Sequence, residues 1–585
     1  MKKEKVIEFC KRNYIFFICG IHLLLSWIAS YNFFYPLREH TGIENVAYKF
    51  FNTGKVLEDD TISRVLCYVY AHILSFLIIL VFWNRIFFLV NSWMKYTEER
   101  TYIKIYLLFV VIGILMILTL YPITVTIPSD TTYNYVYARE WLPMYWHGFL
   151  TNVIHCACLL IFPHPVSMSV IPYLFGISVI FYFSYHIVIK YSMKYKIAKV
   201  LIWFAILLII PETIQLLTYA GRNYMYAILS VSVLGIFLKD YLEQQPLKSR
   251  KFLLLSFLVV CLATWRSEGI LYLFFYPFLI YFTYFYKKKP VKKKEMIKGF
   301  GYICVLYLIM ALPGKYGNEK YQGYDYFIIN TPGPLSAVFI NEEANFDYNR
   351  ANEDLSQITD VVPLEYIYKY GKLATAYYNA ENGRLSRQCN VGEAGKDYVI
   401  ASYRMLFHNW KIYLKYQMNL FFRSIGLSLA FDLPTVNEEE WTLSGEFCKR
   451  WDWVIEYYTI GENDMSNNHD IVLLNNKVDS VLNEYVLLAV SKVHGFGWKY
   501  LGFVKVAVTC LVAVTGIYFL KKKEWIYVLW AAIILALLSA IILTAPAMRD
   551  NYYYSVYFNQ YWFLLFSGFQ IKKSRNVCGR QSKEN

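Results

Sequence analysis

Apolar residues in this chain gather into uncharged runs of about 16 to 25 positions, separated by short clusters of Lys and Arg, which is the pattern of helices crossing a hydrocarbon layer. The first run, Tyr14 to Phe34, follows the basic segment MKKEKVIEFCKRN and is longer than a signal-peptide core, so it predicts a retained anchor with its N-terminus in the cytoplasm. Further spans are predicted at about 64–91, 104–126, 168–189, 197–211, 223–238, 252–265, 270–286, 298–313, 497–520, 524–545 and 552–570, making twelve. The pattern predicts an all-α polytopic membrane protein. Gly148 to Phe162 is ambiguous: short and flanked by prolines, it fits either a span or an interfacial helix.

Charge bears on that ambiguity. If Gly148 to Phe162 does not cross, the clusters Lys190–Lys199, Lys248–Lys251, Lys287–Lys294, Lys521–Lys523 and Lys572–Arg575 all share the side of the N-terminus, as cytoplasmic loops should. The segment 314–494 then lies outside; it holds 24 Asp/Glu against 16 Lys/Arg, a net of −8 in a chain of +15, so the remainder carries +23. The expected organisation is a transmembrane bundle over 1–313 with an outer loop at 127–166, a small outer cap over 314–496, transmembrane helices over 497–571 and a cytoplasmic tail at 572–585. Within the cap, 404–429 has apolar residues at helical spacing with bases on the other face. It predicts a helix lying on the membrane or the bundle, or else one in the cap core.

Composition changes the picture in three respects. At 57% apolar and only 17% charged the 585-residue chain is not an ordinary soluble enzyme. The net charge of +15 resides in membrane-flanking loops, so nucleic acid is not indicated as a partner. The 11 cysteines are scattered without zinc spacing, and only Cys389 and Cys448 fall in the outer segment, where an oxidising exterior would permit a disulfide. The spans read as holding almost no ionisable group in their interiors apart from His22, His72 and His186, which argues against an ion-coupled transporter.

The remaining unusual residues collect on the outer side. PSDTTYNYVYAREWLPMYWHGFLTNVIH carries Asp130, Glu140, Trp146 and His147; TYAGRNYMYA carries Arg222; TWRSEGI carries Arg266 and Glu268; TAPAMRDNYYYSVYF carries Arg549. In this order and on this face, these elements resemble the GT-C class of integral-membrane glycosyltransferases, of the protein O-mannosyltransferase and lipid A aminoarabinose transferase type. The resemblance covers about 104–570 and is best in the loop Pro128 to Pro165. It implies about twelve transmembrane helices, membrane-surface helices in an outer loop, an outer cap, and transfer of a sugar from a polyprenyl-phosphate donor to a glycan or glycolipid acceptor at the cell membrane. Two departures stand out: an expected Asp-Glu pair is Asp130-Thr131 here, and a later acidic position is Arg222-Asn223. No resident cofactor is expected beyond a possible divalent metal, for which no ligand set is assigned.

The residue chemistry is compatible with this. Arg222, Arg266 and Arg549 suit a lipid phosphate, because guanidinium binds phosphate through paired hydrogen bonds and stays ionised near hydrocarbon. Each is equally suited to anchoring a helix by snorkelling. Glu268 either orients Arg266 or pairs with it structurally. Asp130 is the leading base for the acceptor hydroxyl and His147 the second; Asp130 alternatively caps a helix. Trp146 is a candidate for stacking on a sugar ring, and Glu140 joins the substrate-binding set. A polysaccharide polymerase or ligase, and a flippase or exporter of lipid-linked glycans, are the competing readings.

Overall fold

The computed structural model describes residues 2–34, 61–95, 97–120, 138, 141–142, 148–164, 166–184, 222–286, 293–317, 325–365, 367, 394–424, 504–545 and 552–568. Among these the fold is all-helical, without strands. Five helices are long and apolar enough to cross a membrane: Ile62–Phe87, Asn223–Glu243, Ser267–Phe285, Val504–Lys521 and Trp525–Thr544. Shorter apolar helices cover Tyr14–Ser30, Tyr102–Leu115, Phe149–Ile161 and Ser167–Phe183. The predicted span at 197–211 lies outside the described residues. The chain is thus a multi-pass membrane protein in its helical content. It divides into two compact units, one built from 1–43, 59–225 and 454–484, the other from 44–58, 226–453 and 485–585.

The first unit holds α1 (Lys2–Phe34), α2 (Thr61–Lys95), α3 (Thr97–Leu120), α4 (Phe149–Ile161) and α5 (Ser167–Phe183); α1, α2 and α4 share a core of Cys19, Leu23 and Ile79, joined by Trp27, Trp83 and Ile161, and α3 packs against α2 and α5. Ser26 Oγ donates to the Ile161 carbonyl at 3.0 Å, and Tyr173 Oη donates to that of Phe109 at 2.6 Å. Gly113 is required by this second contact, since a Cβ there would sit 2.0 Å from Tyr173 Cζ. The ambiguous helix α4 has 13 residues, of which Phe149 through Leu160 are all buried, so it is packed within this unit rather than laid flat and exposed. His22 and His72 have packing roles. His22 Nδ1 lies 3.2 Å from Trp83 Nε1, and His72 is held between the Tyr68 carbonyl and the rings of Trp27 and Trp141. His186 lies outside the described residues.

α6 (Arg222–Glu243) contributes Tyr226 onward to the second unit. There follow α7 (Ser249–Trp265), a 3-10 turn at Ser267–Gly269, α8 (Ile270–Ile280) with a π turn at Tyr281–Phe285, and α9 (Lys293–Gly317). After the cap come α15 (Val504–Lys521), α16 (Trp525–Thr544) and α17 (554–568). α16 has 20 residues and no charge, a rise of about 30 Å, which matches the hydrocarbon thickness. It stops at Ala545, which precedes Pro546 and is extended as a pre-proline residue should be. α6 outruns its predicted end because Asp240, fully buried, is neutralised by Lys251 Nζ at 2.9 Å and also accepts from Tyr284 Oη.

The described part of the segment predicted to be a cap, 325–424, is helical too. α10 (Asp325–Asn330), α11 (Pro332–Phe339), α12 (Ala351–Thr359) and α13 (Ala394–His408) enclose a core of Ile328, Leu335, Val338, Ile358, Tyr398 and Met405. Buried Asp354 takes Arg404 Nη1 at 2.7 Å and Tyr348 Oη at 3.0 Å. Burial, then this donation to Asp354, push the Tyr348 hydroxyl well above its ordinary range, with Arg404 acting the other way. The predicted helix 404–429 is two pieces, α13 and α14 (Trp410–Ser424), divided at Asn409. Both alternatives hold in part: Met405 and Leu406 belong to the cap core, whereas α14 packs on the bundle through Phe421 against Tyr553, ring centroids 5.2 Å apart. Cys389 and Cys448 lie outside the described residues.

Candidate functional site

Of the predicted site residues, Asp130, Glu140, Trp146, His147 and Arg549 lie outside the described residues, as does the side chain of Arg222, whose backbone starts α6. Arg266 and Glu268 are described and they meet. α7 ends at Trp265, Arg266 turns extended, and Ser267–Gly269 form the 3-10 turn that starts α8. Gly269 makes this tight reversal possible: its φ is ordinary, but an added Cβ would lie 1.9 Å from the Leu262 carbonyl oxygen. The return helix is thereby seated on the backbone of the one before it.

At this break Arg266 Nε and Glu268 Oε1 form an ion pair with side chains only 8% and 7% exposed. The oxygen is within ion-pair reach but off the N–H direction, so it makes no hydrogen bond, while Oε2 accepts from Ser267 Oγ at 3.3 Å. The Arg266 guanidinium carbon lies 5.7 Å from the centroid of the Tyr226 ring, a cation–π placement. Tyr226 meets Tyr272 edge to face at 6.5 Å. Tyr272 Oη pairs with Ser230 Oγ, which also receives Asn559 Nδ2 at 2.8 Å. The Tyr226 hydroxyl is buried without a hydrogen bond. A chain of polar and aromatic groups therefore runs from the Arg266–Glu268 pair through α6 and α8 to α17.

Lys505, absent from the predicted set, faces the same helix α17. It is 7% exposed, in α15, with Nζ 4.8 Å from the Tyr557 ring centroid. Nearby, Gln560 Nε2 donates to Thr509 Oγ1 at 2.8 Å. The sequence signal was a single Lys in GFVKVAVTC, swallowed by a span predicted to begin at 497. Arg85 is a second cation within an apolar helix; it lies 5.7 Å from the Tyr106 ring centroid and two residues from the end of the Ile62–Phe87 stretch. Arg85 lies well inside α2, ten residues before its end at Lys95, where the face of an aromatic ring offsets part of the cost of its charge.

Chain direction gives the site its level. α7 begins at the Lys248–Lys251 cluster and ends at Arg266, so Arg266 stands at a span end opposite a Lys-rich loop, and Lys505 lies 16 residues, about 24 Å of helix, before Lys521. The Glu268 carboxylate beside Arg266 Nε offsets the guanidinium charge, so the pair alone is neutral. Additional cations are needed to make such a place attractive to a phosphate. Among the described residues no group of three His, Cys, Asp or Glu stands close enough to hold a metal ion. Comparison of the chain with protein-family models, with curated proteins and with solved structures finds no match.

Proposed function

We propose that the chain is a membrane glycosyltransferase that moves a sugar from a polyprenyl-phosphate carrier to a surface glycan or glycolipid at the outer face of the cell membrane, with both termini in the cytoplasm. The observation that carries this reading is the buried Arg266–Glu268 pair at a break between two apolar helices, on the side away from the Lys clusters. A donor of this class keeps its isoprenoid tail in the bilayer and its phosphate at head-group depth, where basic pockets between helices bind such groups. In this reading Arg266, Lys505, Arg222 and Arg549 supply the positive charge. Glu268 holds Arg266 in place by charge, and Trp146 and Glu140 contact the sugar.

In the transfer, the bond from sugar C1 to the phosphate oxygen breaks and a bond from C1 to the acceptor oxygen forms. Polyprenyl phosphate leaves with the electron pair, and the acceptor proton passes to Asp130, with His147 the second candidate. The phosphate leaves without protonation, so one carboxylate suffices where a glycosidase needs two. The test is transfer by the purified chain in proteoliposomes, supplied with polyprenyl-phosphate sugars and read as released polyprenyl phosphate and lengthened acceptor. Surface glycans of a strain lacking the gene should be short of one sugar. Movement of an intact lipid-linked glycan across the bilayer, with no new glycosidic bond, would replace this reading by an exporter.

A further inference from the structure

A stripe of exposed large apolar side chains runs along α13 and α14: Ile400, Tyr403, Phe407, Trp410 and Leu414, with Phe407 76% exposed. Their spacing of three and four residues places them on one helical face. The face continues through Asn409, because Asn409 N still bonds the Met405 carbonyl at 3.1 Å and Tyr413 N bonds the Asn409 carbonyl at 3.0 Å. It is not the face that packs, since Tyr398, Ala401, Met405, Tyr416 and Leu420 are the buried ones.

The level of this face follows from what α14 touches. Tyr413 Oη donates to the carbonyl of Leu543, in the last turn of α16, and Phe421 packs on Tyr553. The short stretch 545–551 joins α16 to the next apolar helix, so Leu543 and Tyr553 mark the same boundary of the hydrocarbon layer. α14 is therefore moored at that boundary, beside Leu543, which is itself exposed. The charge around the stripe fits lipid head groups. Apart from Arg404, which is paired with Asp354, residues 394–424 hold Lys396, Lys411, Lys415 and Arg423 against a single acid, Asp397, and Lys411 Nζ lies 6.0 Å from the Trp410 ring centroid. An apolar stripe with Tyr and Trp at its centre and lysines at its flanks is the composition of a helix lying in the membrane interface.

We propose that α13 and α14 insert this face into the bilayer surface, so that the cap rests on lipid as well as on the bundle. The proposal holds whatever reaction the chain catalyses. It is tested on the full chain in nanodiscs of phosphatidylcholine and phosphatidylglycerol. A benzophenone amino acid is placed at Phe407, at Leu414 or, as an exposed control outside the stripe, at Glu353. After irradiation, intact-mass measurement should find a single-phospholipid adduct at 407 and 414 and none at 353. Crosslinking of 407 and 414 to another stretch of this chain would overturn the proposal in favour of an intramolecular cover, and crosslinking to a second copy would overturn it in favour of a dimer. Equal lipid adducts at all three positions, or none at 407 and 414, would also overturn it.

Discussion

Replacing Arg266 by Ala does more than remove a cation, because it strands Glu268 as an uncompensated charge in a site where both side chains are less than a tenth exposed. Breaking a buried pair from one side costs about 3 to 5 kcal/mol, whereas exchanging both members for apolar residues of similar volume is neutral or stabilising by about 1 to 4 kcal/mol. The informative set is therefore Arg266→Ala, Glu268→Leu, and the double variant Arg266→Met with Glu268→Leu. Unfolding in mixed micelles should show each single variant weakened by about 3 kcal/mol or more and the double variant at or above the parent. Transfer is then measured on the double variant, where folding is no longer confounded. If the pair serves the donor phosphate, the double variant is stable and inactive, and Arg266→Lys with Glu268 retained recovers only part of the rate, because an ammonium lacks the planar fork. A double variant that is stable and fully active would reduce the pair to a structural staple and remove the observation on which the proposed function rests. Single variants as stable as the parent would refute the energetic argument itself.

Gly269→Ala drives a methyl group into the Leu262 carbonyl, so a loss of about 1 to 3 kcal/mol or more is expected, with transfer falling alongside it; parent-like unfolding would show that α7 and α8 can part at no cost. Asp354→Ala unseats Arg404 and Tyr348 together and should cost about 3 kcal/mol, the lower end for a buried pair because Arg404 keeps some solvent, read as faster proteolysis within 325–424. Because the folded cap holds the Tyr348 hydroxyl protonated well above its ordinary range, that contribution is complete below about pH 10 and is lost as pH climbs towards the folded value; Tyr348→Phe should blunt the alkaline loss of protease resistance. Asp130→Asn preserves a helix cap but removes a base, so transfer should drop by roughly 100-fold or more at unchanged stability, and near-parent transfer would pass the role to His147.

How much of this was legible depends on whether the deciding contact is local. The predicted span at 524–545 and the observed Trp525–Thr544 agree because about 20 uncharged residues leave the backbone no other way to satisfy itself in lipid. The extension of α6 to Glu243 was not legible, since Asp240 is acceptable there only with Lys251 and Tyr284 brought in from later helices. The division at Asn409 is of the same kind. Its Oδ1 takes Asn345 N at 2.6 Å and its Nδ2 gives to the Asn345 carbonyl at 3.1 Å, a clasp across the cap that local periodicity cannot announce. Arg266 and Glu268 were readable as a pair from their spacing. Tyr226, one of 55 tyrosines, was not. Lys505 was hidden inside a span drawn over 497–520, where a lone Lys in an apolar run gives no sign that its side chain is buried against Tyr557.

The ambiguous run 148–162 shows what sequence and structure contribute when neither suffices. Charge decides by parity, because one crossing more would carry the Lys190 to Lys294 loops to the side opposite the N-terminus. That argument is blind to what the segment itself does. The helix at this place has 13 residues, a rise of about 20 Å, well short of a hydrocarbon layer about 30 Å thick. Yet it is buried on every side, which a helix lying in the interface would not be. Both observations are met by a helix that dips into its own unit from one surface. An impermeant thiol reagent checks it: with Cys placed at Asn382 and, separately, at Lys289, labelling of the first in intact cells and of the second only after lysis is expected. The reverse pattern would invert the orientation and separate Asp130 from any acceptor outside the cell.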